Sequence, residues 1–325
     1  VSDLWPGEGA TRPHVAWPAA STTGAGLIGF PARHSLSPRL HNAAYAALGI
    51  DWAYLAFEVA APAAAAAVVG AAALGLRGLS VTTPHKEAAA ELATRRSPTV
   101  RRIGAANTLT FDGDEIVAES TDGQGLLDDL RENAGVDPAG QRCFVLGAGS
   151  AARAVVLALA EAGAAEVMVC NRSPSRAWRA AALAPRIGRV ARPEEVERAA
   201  IVVQATSVGL AAVSSGDAVA LPGGPGGVGA VAAVRSASDP PVAGRLVGGL
   251  LDPDRLGGGQ LVVDLVYTPP VTAVLEAAAA RGARTRSGLG MLVHQAARQV
   301  EIWTGAEAPL EAMWTAVGGR EPPVA

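Results

Sequence analysis

The chain has 325 residues, half of them apolar and 18% charged, with a formal net charge of -3. That length favours two domains over one, and the near-balanced charge, with no lysine-rich block, argues against a nucleic-acid partner. The long apolar run 60–76 is mostly alanine, broken by Pro62, Gly70 and Gly75, so it is expected to be a packed helix rather than a membrane span.

Residues 1–23, rich in Pro, Gly, Ala and Ser, read as a flexible tail without a secretory signal. From "AGLIGFPA" onward, short apolar strands alternate with alanine-rich helices: "GLIGF", a helix after Ser37-Pro38, "WAYLAFEV", the alanine helix, "GLSVTT", a helix carrying Lys86, then "ANTLTF". A helix from about Gly125 to Asn133 leads into a second series, "RCFVLGAG", "EVMVCNR", "IVVQATS" and "QLVVDLVY". Such alternation predicts α/β architecture with mostly parallel sheets. The Gly/Ala/Pro-rich stretch 211–259 exceeds what a compact connection needs and reads as a surface insertion. The chain closes with "SGLGMLVHQAARQVEIWTG", apolar at helical spacing, and a short helix near Leu310 to Thr315.

Cys143 and Cys170 both sit in apolar strands, so buried free thiols and a cytoplasmic location are expected. The five histidines, His14, His34, His41, His85 and His294, lack metal-ligand spacing, and no metal is expected.

Gly147, Gly149 and Ala152 form a G-x-G-x-x-A turn between a strand and an apolar helix. In that context the glycines admit a pyrophosphate to the backbone, and the helix N-terminus supplies N–H groups. The next strand ends in Asn171, Arg172 and Ser173, with Arg176 one turn on, where an NAD site usually carries an acid. Two guanidiniums and no carboxylate suit a 2′-phosphate, which predicts NADP; the alternative is that they only cap the following helix. A whole domain precedes this one, so the cleft between the two is the expected substrate site.

In "LSVTTPHKEAAAEL", Thr83 reads as an N-cap and Pro84 as the first helical residue, which puts Lys86 in the first turn. An ammonium is disfavoured there by the helix dipole. On that stretch alone, a solvated lysine is the plainer reading. Other polar groups cluster at strand ends: Ser35 and Ser37, expected on one side of an extended segment, with Thr82, Asn107 and Asp122. Taken singly, each is as well explained as a turn or cap residue.

Taken together, "GFPARHSLSPRLHN", "LSVTTPHKE", "IGAANTL", "STDGQG", "GAGSAARA", "NRSPSRA", "DLVYTPPVT" and "GMLVHQA" resemble, in order, the motifs of the shikimate/quinate dehydrogenase family, across residues 25 to 318 apart from the insertion. The resemblance implies an NADP-linked, reversible reduction of 3-dehydroshikimate to shikimate. It implies an N-terminal α/β substrate domain with a mostly parallel sheet (24–122 with 287–325) and a Rossmann-type NADP domain (123–286), the C-terminal helices returning to the first domain. By the same resemblance Lys86 is the general acid/base, with Asp122 beside it on the substrate. Ser35, Ser37, Thr82, Asn107, Tyr267 and Gln295 hold the ring hydroxyls and carboxylate. Gly147, Ala148, Gly149, Ser150, Ala151, Asn171, Arg172, Ser173, Arg176, Thr206 and Leu265 belong to the cofactor site, and Gly288 lies against the nicotinamide.

Three residues depart from the family pattern: Ser80 and Ser120 replace common asparagines, and Ser150 replaces a frequent glycine, where it could donate to phosphate or restrict its approach. A small-molecule substrate, no nucleic acid or membrane partner, and a monomer or homodimer are expected. The alternatives are a quinate or aminoshikimate-type dehydrogenase, against which Ser35 with Ser37 and the two arginines speak, and a catalytically silent shikimate sensor, which would be expected to have lost Lys86 or Asp122. A methylenetetrahydrofolate dehydrogenase is disfavoured by "HSLSP", and a hydrolase by the lack of a G-x-S-x-G elbow.

Overall fold

A computed structural model describes residues 18–208 and 247–320, organised around two six-stranded sheets. The first is built from β1 (Thr23–Gly29), α1 (Ser37–Leu48), β2 (Trp52–Glu58), α2 (Ala64–Ala73), β3 (Gly78–Val81), α3 (Lys86–Leu92), β4 (Arg95–Arg96), α4 (Pro98–Ile103), β5 (Thr108–Asp112) and β6 (Glu115–Glu119). Its strand order is β2-β1-β3-β5-β6-β4. The pairs β1–β2, β1–β3 and β4–β6 run parallel, whereas β3–β5 and β5–β6 run antiparallel. The β5–β6 pair is a hairpin made at Gly113, whose φ of 59° lets the chain reverse in a two-residue turn between Asp112 and Glu115.

The second sheet follows α5 (Asp122–Glu132) and comprises β7 (Arg142–Leu146), α6 (Ser150–Glu161), β8 (Glu166–Cys170), α7 (Pro174–Ala181), β9 (Gly188–Val190), β10 (Ile201–Gln204), β11 (Leu261–Asp264), α8 (Ala273–Ala279) and β12 (Arg284–Arg286). Every pairing in it is parallel, in the order β12-β11-β10-β7-β8-β9. Taken from β9, this is the dinucleotide-binding order, with the strand order reversing between β7 and β10. β10 and β11 are buried along their whole length, and β7 is buried apart from Arg142, as parallel strands covered on both faces must be. Leu126, Leu130, Val155 and Leu159 cover one face; Val196, Leu251, Leu256 and Leu275 cover the other.

Most of the 211–259 segment lies outside the described residues, as does most of the 1–23 tail. The segment's last part is core: Val247, Leu251 and Leu256 are buried on the second sheet. α9 (Leu289–Thr304) and α10 (Leu310–Ala316) return to the first sheet, where Val293, Ala296, Val300 and Trp303 pack with Leu27, Tyr45 and Tyr54. The Trp303 indole N–H also donates to Leu109 O at 3.2 Å, so the returning helix is both packed and hydrogen-bonded onto β5. Cys143 and Cys170 are free and buried, and burial pushes their thiols up to about 12 and about 11. Among the described residues, no helix is long and apolar enough to cross a membrane.

Candidate active site

α3 starts at Lys86, two residues later than the Thr83 cap and Pro84 start expected from the sequence. Residues 83–84 form a turn, and His85 occupies the N-cap position with its Nε2 at 2.6 Å from Val59 O. With its ring engaged by that carbonyl, His85 fixes where the helix begins. Lys86 Nζ donates to Asp122 Oδ2 at 2.6 Å, the two side chains being 12% and 8% exposed. Asp122 is itself the first residue of α5, which begins three residues before the expected Gly125. A carboxylate at that end is favoured by the helix dipole, and it supplies the counter-charge to the Lys86 ammonium, the neighbouring Glu87 being paired with Arg153.

Behind this pair, Asn107 Nδ2 donates to Asp122 Oδ1 (2.8 Å), Thr121 Oγ1 (2.9 Å) and Gln295 Oε1 (3.0 Å). Its Oδ1 accepts from the Thr121 N–H at 2.8 Å, which fixes the amide's orientation. Asn107, Asp122, Gln295 and Lys86 are thus brought into one continuous cluster. Ser35 and Ser37 do not lie on an extended segment: residues 33–34 form a turn and Ser37 opens α1. The hydroxyls nonetheless converge, Ser35 Oγ donating to Ser37 Oγ at 3.1 Å. Burial pushes the Tyr267 hydroxyl up, opposed by the nearby Ser35 hydroxyl and Leu36 backbone, which puts the loop after β11 close to this serine pair. Thr82 lies just beyond β3, half-buried, with its N–H donating to Ile28 O at 3.0 Å.

On the second sheet, Gly147 follows β7 at φ 112°, and a Cβ there would lie 3.0 Å from Ala205 O and 3.1 Å from Thr206 Cγ2. Glycine is therefore required, and Thr206 is placed against the turn. Gly149 opens α6 with no side-chain cap and open space before it. With Ala148, Ser150 and Ala151, this leaves helix N–H groups facing a space that suits a pyrophosphate. Beyond β8, Asn171 Nδ2 donates to Ser173 O at 3.2 Å, and Arg172 and Arg176 are exposed without a carboxylate partner among the described residues. Gly288 packs so closely on Leu265 that a Cβ would overlap its carbonyl. That contact sets the start of α9, and hence Gln295, against the end of β11. The residues present therefore fit a dinucleotide with a 2′-phosphate.

The halves of the site meet along two edges. Arg153, in the first turn of α6, donates to Glu87 at 2.8 Å, one residue past Lys86. On a second edge, Tyr267 lies near Ser35. Two supporting residues escape a sequence reading. Gln204 Oε1 accepts from the Thr206 N–H at 2.6 Å, and Asp264 accepts from Val266 N–H (3.0 Å) and Thr272 Oγ1 (2.6 Å), bracing the loop that carries Leu265 and Tyr267. Their signal is a lone polar residue ending an otherwise apolar strand, in "IVVQ" and "LVVD".

A dinucleotide-binding sheet whose glycine turn adjoins a part-buried ammonium–carboxylate pair defines a pyridine-nucleotide-dependent dehydrogenase. Residues 27–109 match the shikimate dehydrogenase substrate binding domain, 130–221 the shikimate/quinate 5-dehydrogenase profile, and 288–317 the shikimate 5′-dehydrogenase C-terminal domain. The shikimate dehydrogenase (NADP(+)) of Methanopyrus kandleri is 42% identical over 308 residues, covering 92% of this chain and 96% of that protein. A shikimate dehydrogenase crystallised with NADP+ superposes with a TM-score of 0.77 at 28% identity, over 94% of this chain and 98% of the other. The Thermus thermophilus shikimate 5-dehydrogenase, in complex with NADP(H) and shikimate, superposes at 0.72 with 32% identity, over 91% and 98%. The chain belongs to the shikimate dehydrogenase family.

Proposed function

We propose that this protein is an NADP-dependent shikimate dehydrogenase, interconverting 3-dehydroshikimate and shikimate. The observation that carries the reading is the Lys86–Asp122 pair, bonded to Asn107 and through it to Gln295, and set beside the first turn of the glycine-loop helix. Residues 24–122 with 287–325 form the substrate domain and 123–286 the cofactor domain. Lys86 Nζ gives a proton to the substrate oxygen in reduction and takes it back in oxidation, while Asp122 holds that nitrogen in place. Ser35, Ser37, Thr82, Asn107, Tyr267 and Gln295 position the ring hydroxyls and carboxylate. When bound, the nicotinamide exchanges a hydride with the ring carbon. Arg172 and Arg176 hold the 2′-phosphate, Asn171 and Ser173 the adjoining ribose edge, and Leu265 and Gly288 the nicotinamide end. Two free buried cysteines suit a reducing compartment, and the cytoplasm is the proposed location.

Lys86→Ala tests the assignment. Loss of a general acid/base is expected to lower kcat by roughly 100- to 10,000-fold with a small change in KM for shikimate. Near-normal turnover would remove Lys86 from the chemistry.

A further inference from the structure

Gln299 lies one helical turn past Gln295 on α9 and is fully buried, and its own hydrogen bonds do not reach Lys86. Its surroundings follow from the antiparallel β3–β5 pairing, whose register sets Ser80 directly opposite Thr108. Side chains opposite each other on one face are neighbours, so a single carboxamide from α9 can reach both. Ser80 Oγ donates to Gln299 Oε1 at 2.7 Å; Gln299 Nε2 donates to Thr108 Oγ1 at 2.9 Å and to Asn107 O at 3.2 Å. Upstream, the Tyr54 hydroxyl donates to Ser80 Oγ at 2.6 Å. Downstream, Thr108 Oγ1 donates to Asn107 Oδ1 at 2.9 Å, and Asn107 Nδ2 donates to Asp122 Oδ1 at 2.8 Å.

Every donor in this series points the same way, from Tyr54 through Ser80, Gln299, Thr108 and Asn107 to the carboxylate that holds Lys86. All of these groups except Lys86 are buried. A buried carboxamide is rigid when both its ends are satisfied, and aligned hydrogen bonds polarise one another. Because Gln299 Nε2 can only donate to Thr108 Oγ1, the Thr108 proton is left to point at its other neighbour, Asn107 Oδ1. That bond and the Thr121 N–H, which donates to the same oxygen at 2.8 Å, together hold the Asn107 amino group toward Asp122.

We propose that Gln299, acting through Thr108, is a positioning residue for the proton-transfer pair: together with the Thr121 N–H it holds the Asn107 amide and so the placement of Asp122 and Lys86. The proposal rests on the catalytic reading of Lys86 and Asp122 given above.

The test uses the full-length enzyme in four variants: Gln299→Met, Thr108→Val, Thr108→Ser and the Gln299→Met/Thr108→Val double. A misplaced proton-transfer pair is expected to cost on the order of 10- to 100-fold in kcat for Gln299→Met and Thr108→Val. The pH–kcat profile of both should shift by about half a unit or more. Thr108→Ser keeps the hydroxyl and should keep the wild-type rate and profile. The double variant should fall no further than the worse single, since both break one path. An unshifted profile in the folded variants overturns the proposal, as do multiplicative losses in the double or a Thr108→Ser as damaging as Thr108→Val. If Gln299→Met does not fold, the Thr108 pair decides alone. Lys86→Ala is assayed alongside. Normal turnover there brings down the site reading and the proposal with it; a collapse there with unaffected Gln299 and Thr108 variants removes the relay only.

Discussion

The double substitution Arg172→Ala/Arg176→Ala addresses cofactor choice. Both guanidiniums are exposed, neither pairs with a carboxylate among the described residues, and β8 leads into Asn171 where an NAD site would place an acid. A charge-assisted hydrogen bond contributes about 1.5–3 kcal/mol. Solvent screening at this open edge favours the lower value, so two such contacts amount to about 3 kcal/mol, on the order of a 100-fold loss in kcat/KM for NADP. NAD has no 2′-phosphate, and its kcat/KM should stay within about twofold of wild type. Removing exposed side chains that pair with no carboxylate should also leave stability within roughly 0.5 kcal/mol. Steady-state rates at fixed saturating shikimate, titrating each nucleotide, give both numbers. Equal losses for NADP and NAD would show that the arginines act on something the two cofactors share, not on the 2′-phosphate.

Trp303→Ala removes a side chain that is 2% exposed and bonded to Leu109 O, and should destabilise the protein by about 3–5 kcal/mol in urea unfolding; a change under about 1 kcal/mol would show that α9 is not anchored there. His41 is fully buried, stacked on Tyr54 at 4.0 Å, and burial lowers its pKa from 6.5 to about 4 against the opposing hydrogen bond to Ser37 O. The unfolded chain therefore binds the proton first as pH falls from 6.5 to about 4, and the folded state loses about 3 kcal/mol across that window. His41→Phe keeps the stacking and should flatten that part of the stability–pH curve; an unchanged slope would assign the acid sensitivity to other groups.

How much of this is legible in the sequence depends on distance along the chain. The glycine turn at 147–149 can be read because its strand, loop and helix are contiguous, and β7, the turn and α6 follow "CFVLGAGSAARAVVLAL". The sequence reading starts α3 two residues too early, since a Thr-Pro start and a turn ahead of a His cap look alike in sequence; only the Val59 carbonyl, 26 residues away, distinguishes them. Asp122 is recognisable as a motif residue, but its place in the first turn of α5 is not. The β5–β6 hairpin goes unread although "DGDE" marks a reversal at Gly113. Gln299 is invisible for a stronger reason: its role depends on Ser80 facing Thr108, and that register exists only once β3 and β5 are known to pair antiparallel. The periodicity of α9 can at most show that Gln295 and Gln299 share a face otherwise lined by apolar residues.

The proposed activity needs a substrate pocket and a phosphate-reading cofactor site together, and one assay addresses both. Initial rates of nicotinamide absorbance change would be measured with shikimate and with quinate, each against NADP and NAD. A rate with shikimate and NADP well above the other three combinations is expected. Preference for quinate or for NAD would contradict the assigned roles of Ser35 and Ser37 or of Arg172 and Arg176, and no rate in any combination would contradict the proposed activity itself.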